Sequence, residues 1–152
     1  MIDESLLLKH RFFRDIGEPL LGYIAGCAEQ VSYPADTQLL AQGQPAHSML
    51  AIEHGKVGVG IHVPQRGFVT IETVQAGEIV GWSWLFPPYE WSFDAITTTD
   101  VSGILVHAQC IRPHLNDDPA VGLEFVERIS KVMQDRLHSA RLRLLDMYGD
   151  HE

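Results

Sequence analysis

Cysteine is scarce in this chain: two residues, Cys27 and Cys110, among 152. Neither belongs to a C-x-x-C or a Cys/His spacing that closes around a metal, which excludes zinc-ribbon and disulfide-scaffold classes. Free cysteine is commonly a buried residue type, so both are expected as reduced structural thiols. Basic residues are also few, 11 Lys and Arg against 20 Asp and Glu, for a formal net charge of -9. Non-specific nucleic-acid binding draws its affinity from Lys and Arg neutralising phosphates, so no nucleic-acid partner is expected. Long apolar runs are missing too. The N-terminal MIDESLLLKHRFF holds only three consecutive leucines between charged residues, too short for a secretory core. Nowhere does the chain hold the run of about 18 apolar residues that a membrane span requires. The expected address is the cytoplasm, with no membrane partner.

Catalytic signatures are absent as well. There is no nucleophile elbow, no H-E-x-x-H and no Gly-rich phosphate loop ending in GK(S/T). The chain is therefore expected not to be an enzyme. Eight histidines raise a metal site, but His47, His54, His62, His107 and His114 form no H-x-H pair and share no single strand face. A cupin-like metalloenzyme stands as the last of three readings.

What is present describes one folded domain, residues 1–152. With 45% apolar residues, a chain of this length buries enough surface to need no staple. From about Glu4 to Gln30, apolar residues recur at spacings of three and four, interrupted by Pro19, which predicts short helices over 1–30. From Val31 the period becomes two. Strands are expected at Val31–Tyr33, Gln38–Ala41, Ser48–Ile52, Lys56–Val63, Phe68–Val74, Asp94–Thr97 and Val101–Val106, separated by turn signals such as Glu53-His54-Gly55 and Pro64-Gln65-Arg66-Gly67. The connections are too short for crossover helices. The expected fold is therefore mainly β with flanking helices: a double-stranded β-helix, or jelly roll, over 31–111.

Past Asp118, an N-cap followed by Pro119, the helical period returns over 118–148 with Gly149 as a stop. Phe125, Ile129, Val132, Met133, Leu137, Ala140, Leu144 and Tyr148 form a stripe, widened by Val126, Leu142, Leu145 and Met147. A helix of roughly 28 residues runs about 42 Å, longer than the roll it lies on. The apolar surplus predicts a partner helix, most simply from a second copy through residues 119–148. The alternative is a break near Ser139 with the helix folding back. Its charged residues read as a solvated face with i,i+4 pairing.

The least ordinary segment is Gly77–Ala95, which carries all three tryptophans, Trp82, Trp84 and Trp91. Here a resemblance emerges. The order of short helices, roll, Gly-Glu turn with a short internal helix, and long terminal helix resembles the cyclic nucleotide-binding domains of the cyclic-AMP receptor protein and fumarate-nitrate regulator superfamily, over about residues 10–148. Pro34-Ala35-Asp36-Thr37, Gly43-Gln44-Pro45-Ala46 and Ile52-Glu53-His54-Gly55-Lys56-Val57 are similar to its strand, turn and "I-x-x-G-x-V" pieces. Gly77-Glu78-Ile79-Val80-Gly81 is similar to the opening of its phosphate-binding cassette, and Arg136-Leu137 and Arg141-Leu142 fall on its dimer-forming helix.

The resemblance implies a ligand site at Gly77, Glu78, Ile79, Gly81, Trp82, Ser83, Phe93 and Ala95. Backbone N–H groups at 81–83 and one Arg would meet a cyclic phosphate, and Glu78 would accept the ribose hydroxyl. The sequence establishes no cofactor, and the ligand implied is cyclic AMP, cyclic GMP or another small molecule. The cassette departs from the family in one respect. Aligned on Ala95, the position of the family's Arg is Phe93, and no Lys or Arg occurs from Gly67 to Ile111. A buried anion without a cation is costly. Either Arg66, Arg112, Arg136, Arg141 or Arg143 supplies it, or the roll holds no cyclic nucleotide in the family's manner. The tryptophans read either as core or as an aromatic wall for a planar ligand. Pro87-Pro88 reads as a loop stiffener, with Phe86 and Tyr89 at an exposed turn.

Three functions follow. The first is a non-enzymatic sensor whose occupancy near Gly77–Ala95 is signalled through a dimerising terminal helix to a second copy or an unidentified protein. The second is a degenerate roll acting only as a dimeric interaction protein. The third is the metalloenzyme. Because the superfamily's transcription factors continue into a helix-turn-helix after this helix and the sequence stops, DNA binding by this polypeptide is not expected.

Overall fold

The computed structural model describes residues 1–149. Helix α1 (Glu4–Leu8), a 3₁₀ turn at Arg11–Phe13 and α2 (Leu20–Gly26) precede eight strands. The strands are β1 (Ala28–Tyr33), β2 (Gln38–Leu40), β3 (Ser48–His54), β4 (Lys56–Val63), β5 (Gly67–Gln75), β6 (Ile79–Val80), β7 (Asp94–Thr97) and β8 (Val101–His107). Helices α3 (Ala108–Asp117) and α4 (Pro119–Gly149) close the chain. The strands form two antiparallel four-stranded sheets, ordered β1-β8-β3-β6 and β2-β7-β4-β5. This is the jelly roll expected from the period-two segments.

The alternation of side chains explains why β3 reads as a nearly continuous apolar run. In β3, Leu50 and Ile52 point between the sheets, where they meet Val57, Val59, Val74, Val80 and Ala95. Met49 and Ala51 point the other way, into a larger core with Phe13, Leu20, Ile24, Phe125 and Ile129. Strand β6 splits likewise, Val80 inward and Ile79 toward the helices. A strand covered on both faces needs no polar alternation. Gly55, at φ +101° in the β3–β4 turn, sits where a Cβ would strike the Asp100 carbonyl, so only glycine closes that hairpin.

The structure corrects several expectations. The roll's last strand ends at His107, not at Ile111, and residues 108–117 form α3, which the sequence reading left without an element. Pro113 inside that helix hides it from a pattern reading. Strand β1 begins at Ala28, inside the segment expected to be helical. Helix α4 runs unbroken past Ser139. The cysteines are not reduced thiols: Cys27, at the end of α2, and Cys110, in α3, form a disulfide across 83 positions with their Cα atoms 5.4 Å apart. Packing α3 beside α2 brings together two residues that no local spacing relates.

The apolar anchoring of helix α4 is confined to its first half. Val121, Phe125 and Ile129 are buried and Val132 and Met133 half-buried against the helical core, whereas Leu137, Leu142, Leu144, Leu145, Met147 and Tyr148 are exposed, from 48% to 74%. Arg136 marks the changeover. Among the described residues no helix is long and apolar enough to cross a membrane.

Candidate functional site

The β5–β7 connection builds the site. Gly77 takes φ +89°, its N–H donates to the Ile52 carbonyl at 2.9 Å, and Ile52 N–H donates to the Glu78 carbonyl at 2.9 Å. These bonds fix the turn against β3. After β6, Gly81 takes φ +94° and lies against the Trp91 ring, 3.0 Å from where a Cβ would stand, so a larger residue would be doubly strained. A 3₁₀ turn, Ser83–Leu85, follows without a side-chain cap.

The three tryptophans separate. Trp84 is fully buried, packed 5.6 Å from the Phe125 ring, with its indole N–H donated to the Gly81 carbonyl at 3.2 Å. It is core. Trp82 and Trp91 instead line a small cavity within the roll, about 130 Å³, with Gly81, Ser83, Phe93 and Glu72. Trp82 and Ser83 present backbone N–H groups that donate to no acceptor among the described residues. The loop at 86–91 is pinned to the 43–46 turn, through Gly43 N–H to the Trp91 carbonyl at 2.9 Å and Ala46 N–H to the Tyr89 carbonyl at 2.7 Å.

One cation reaches this cavity. Arg136, on α4, donates to the Ile79 carbonyl, lies 4.7 Å over the Trp82 ring and stands 3.8 Å from Glu72 Oε1. Its side chain is 15% exposed. Burial pulls its guanidinium below the ordinary value while Glu72 and Glu78 oppose that shift, and a guanidinium remains protonated throughout. Of the other candidates, Arg112 holds the cassette from outside, donating to the Trp84 carbonyl at 2.6 Å and lying 4.5 Å over Tyr89. Arg143 donates to the Ile71 carbonyl at 2.8 Å, and Arg66 and Arg141 are exposed; none of these lines the cavity.

The expected site residues do not all converge. Gly81, Trp82, Ser83 and Phe93 line the roll cavity, and Ala95 is fully buried in the inner core beside it. Gly77, Glu78 and Ile79 do not line it. They form a wall of a separate cleft facing the start of the chain and α4. The cause is the alternation at β6, which turns Ile79 to the helical side and only Val80 inward. The carboxylate bordering the roll cavity is Glu72 of β5, which no local motif singled out.

The chain matches the cyclic nucleotide-binding domain family over residues 30–116. It belongs to that family. The domain is 21% identical, over 95% of this chain and 62% of theirs, to CRP-like cAMP-activated global transcriptional regulators of two Mycobacterium tuberculosis strains. It thus spans less than two thirds of those relatives. Its fold superposes with TM-score 0.81 on a Geobacter metallireducens protein named for cyclic nucleotide binding, at 24% identity over 91% of this chain and all of that one. A cyclic nucleotide-binding domain from Methylobacillus flagellatus gives TM-score 0.76 at 23% identity, over 94% of this chain and 80% of that one.

For this domain the cupin-like alternative finds no support. Among the described residues no group of three or more His, Cys, Asp and Glu comes close enough to hold a metal ion. The matched span, residues 30–116, contains the Gly77–Gly81 turn. Here the turn divides its residues between two cavities, and Arg136 touches both.

Proposed function

We propose that the domain is a non-enzymatic sensor whose roll cavity takes a monoanionic, planar ligand of the cyclic nucleotide class. Arg136 supplies the cation that Phe93 does not. The observation that carries this reading is the Arg136 guanidinium in the roll beside Gly81, Trp82 and Ser83, lying 4.7 Å over the Trp82 ring with Glu72 Oε1 3.8 Å away. The two free N–H groups at Trp82 and Ser83 add neutral donors for the same anion.

A cavity of about 130 Å³ is smaller than a site for such a molecule, which occupies roughly 300 Å³ or more. Entry therefore requires Arg136 to leave the Ile79 carbonyl and Trp82 to swing from beneath it. Because Arg136 belongs to α4, ligand and helix position are linked: a guest that recruits the guanidinium favours a different seating of α4. The exposed apolar half of α4 would pass that change to a second copy of the chain.

Titration with cyclic AMP and cyclic GMP, followed by tryptophan fluorescence, tests this. A saturable change that is lost in Trp82→Phe supports it. No response at millimolar nucleotide sinks it and favours the second reading, a dimeric interaction module. The tight filling of the cavity by Trp82, Trp91 and Arg136 favours that alternative.

A further inference from the structure

The larger cleft lies outside the roll, between the Arg11–Phe13 turn, Gly77–Ile79 and the first half of α4. It has a volume of about 510 Å³. Arg11, Arg128, Lys131 and Arg136 border it, against two carboxylates, Glu78 and Asp135. In a chain with formal charge -9 this gathering of cations runs opposite to the whole.

Two of the cations have no acid partner. Arg128 donates to the Phe12 carbonyl at 3.0 Å, and among the described residues no carboxylate is within ion-pair distance of Arg128 or Arg11. Asp135 is engaged by Lys131 at 3.1 Å on the exposed rim. Arg11 lies close over the turn, its Cζ 3.3 Å from the position of a Gly77 Cβ, which places its exposed charge at the mouth of the cleft. Arg11 also borders a neighbouring cleft carrying Lys9 and Arg14, which extends the positive field.

We propose that this cleft binds a small molecule bearing a dianionic phosphate group, with Arg11 and Arg128 as its principal ligands and Lys131 at the rim. Guanidinium forks match phosphate oxygens two at a time, and two unneutralised guanidinium groups from different elements suit two negative charges. The volume falls within the range of roughly 300–1,000 Å³ usual for small-molecule sites, which favours a free metabolite over a surface-bound polymer. Glu78, whose carboxylate makes no hydrogen bond among the described residues, lines the cleft and would accept a hydroxyl of the same molecule. Occupancy would tie the Arg11 turn to α4 at the level of Arg136. This site is independent of the roll reading.

Inorganic pyrophosphate is the probe, added to the full chain at low salt and followed by amide NMR shifts. The proposal expects saturable shifts centred on Gly77–Glu78 and Arg128–Lys131, with Kd below about 1 mM. Arg11→Gln should weaken binding about 10-fold or more, as should Arg128→Gln, while Arg143→Gln leaves it unchanged. Arg11 is exposed and among the described residues its side chain makes no hydrogen bond, so its variant decides the matter if Arg128→Gln does not fold. No localised shift at about 10 mM pyrophosphate, or equal affinity in Arg11→Gln, overturns the proposal. Cyclic AMP read through Trp82 is a separate measurement. Pyrophosphate binding without a nucleotide response leaves this site standing and removes the roll ligand, and the reverse result does the opposite.

Discussion

Replacing Arg136 by methionine separates its two roles, cation and plug. The variant keeps an apolar stem of similar length on α4 but removes the guanidinium from the Ile79 carbonyl, from 4.7 Å over Trp82 and from 3.8 Å to Glu72. The lost hydrogen bond from a charged donor is worth about 1.5–3 kcal/mol and the cation–π contact about 0.5–2 kcal/mol. Against these stands the desolvation of a guanidinium only 15% exposed, several kcal/mol that the variant no longer bears. The opposing contributions leave stability within about 2 kcal/mol of the parent, read by urea denaturation with tryptophan fluorescence. Affinity for a cyclic nucleotide has no such cancellation. Loss of one charge-assisted contact of about 1.5–3 kcal/mol weakens Kd by roughly 10- to 150-fold. Adenosine, which carries no phosphate, should bind the variant no worse than the parent, because the emptied space beside Trp82 is apolar. A variant that binds cyclic AMP as tightly as the parent would refute the role given to Arg136.

Three further outcomes follow from the structure. His10 is buried, its Nε2 2.9 Å from the Ile52 carbonyl and its Nδ1 accepting from Phe12 N–H at 3.1 Å, so both ring nitrogens are committed to the neutral form. Burial, aided by Arg11 and opposed by the Ile52 carbonyl and Glu53, holds its pKa below the ordinary 6.5. The unfolded state therefore binds the proton first: the His10 contribution is intact above 6.5 and is lost as pH falls from there through the folded-state value, a dependence that melting curves should show weakened in His10→Gln. Opening the Cys27–Cys110 bond, in Cys110→Ser or with reductant, should lower stability by roughly 2–5 kcal/mol, since it closes a loop of 83 positions. Thiol titration of protein taken from cells reports whether its compartment keeps that bond closed. Leu137→Glu with Leu144→Glu, both about half exposed on α4, tests the proposed pairing of two copies: the double variant should sediment as a monomer where the parent sediments as a dimer, with the roll's fluorescence unchanged.

The family, the roll and the terminal helix are carried by local pattern: period two where a sheet has one wet face, short turns that exclude crossovers, and a helical stripe beginning after Asp118. Absence was equally legible. A cassette without Lys or Arg from 67 to 111 stated that any cation must come from elsewhere, and it named five candidates. Choosing among them required the fold, because only the seating of α4 on the helical core turns Arg136 into the roll and leaves Arg143 on its rim. Arg128, Lys131 and Asp135 lie on the same face of α4, a spacing visible in sequence, but their meeting with Arg11 and Gly77 joins parts of the chain far apart in sequence. The Cys27–Cys110 bond has the same origin. Local sequence sets which way a backbone repeats, whereas long-range packing sets what each side chain meets.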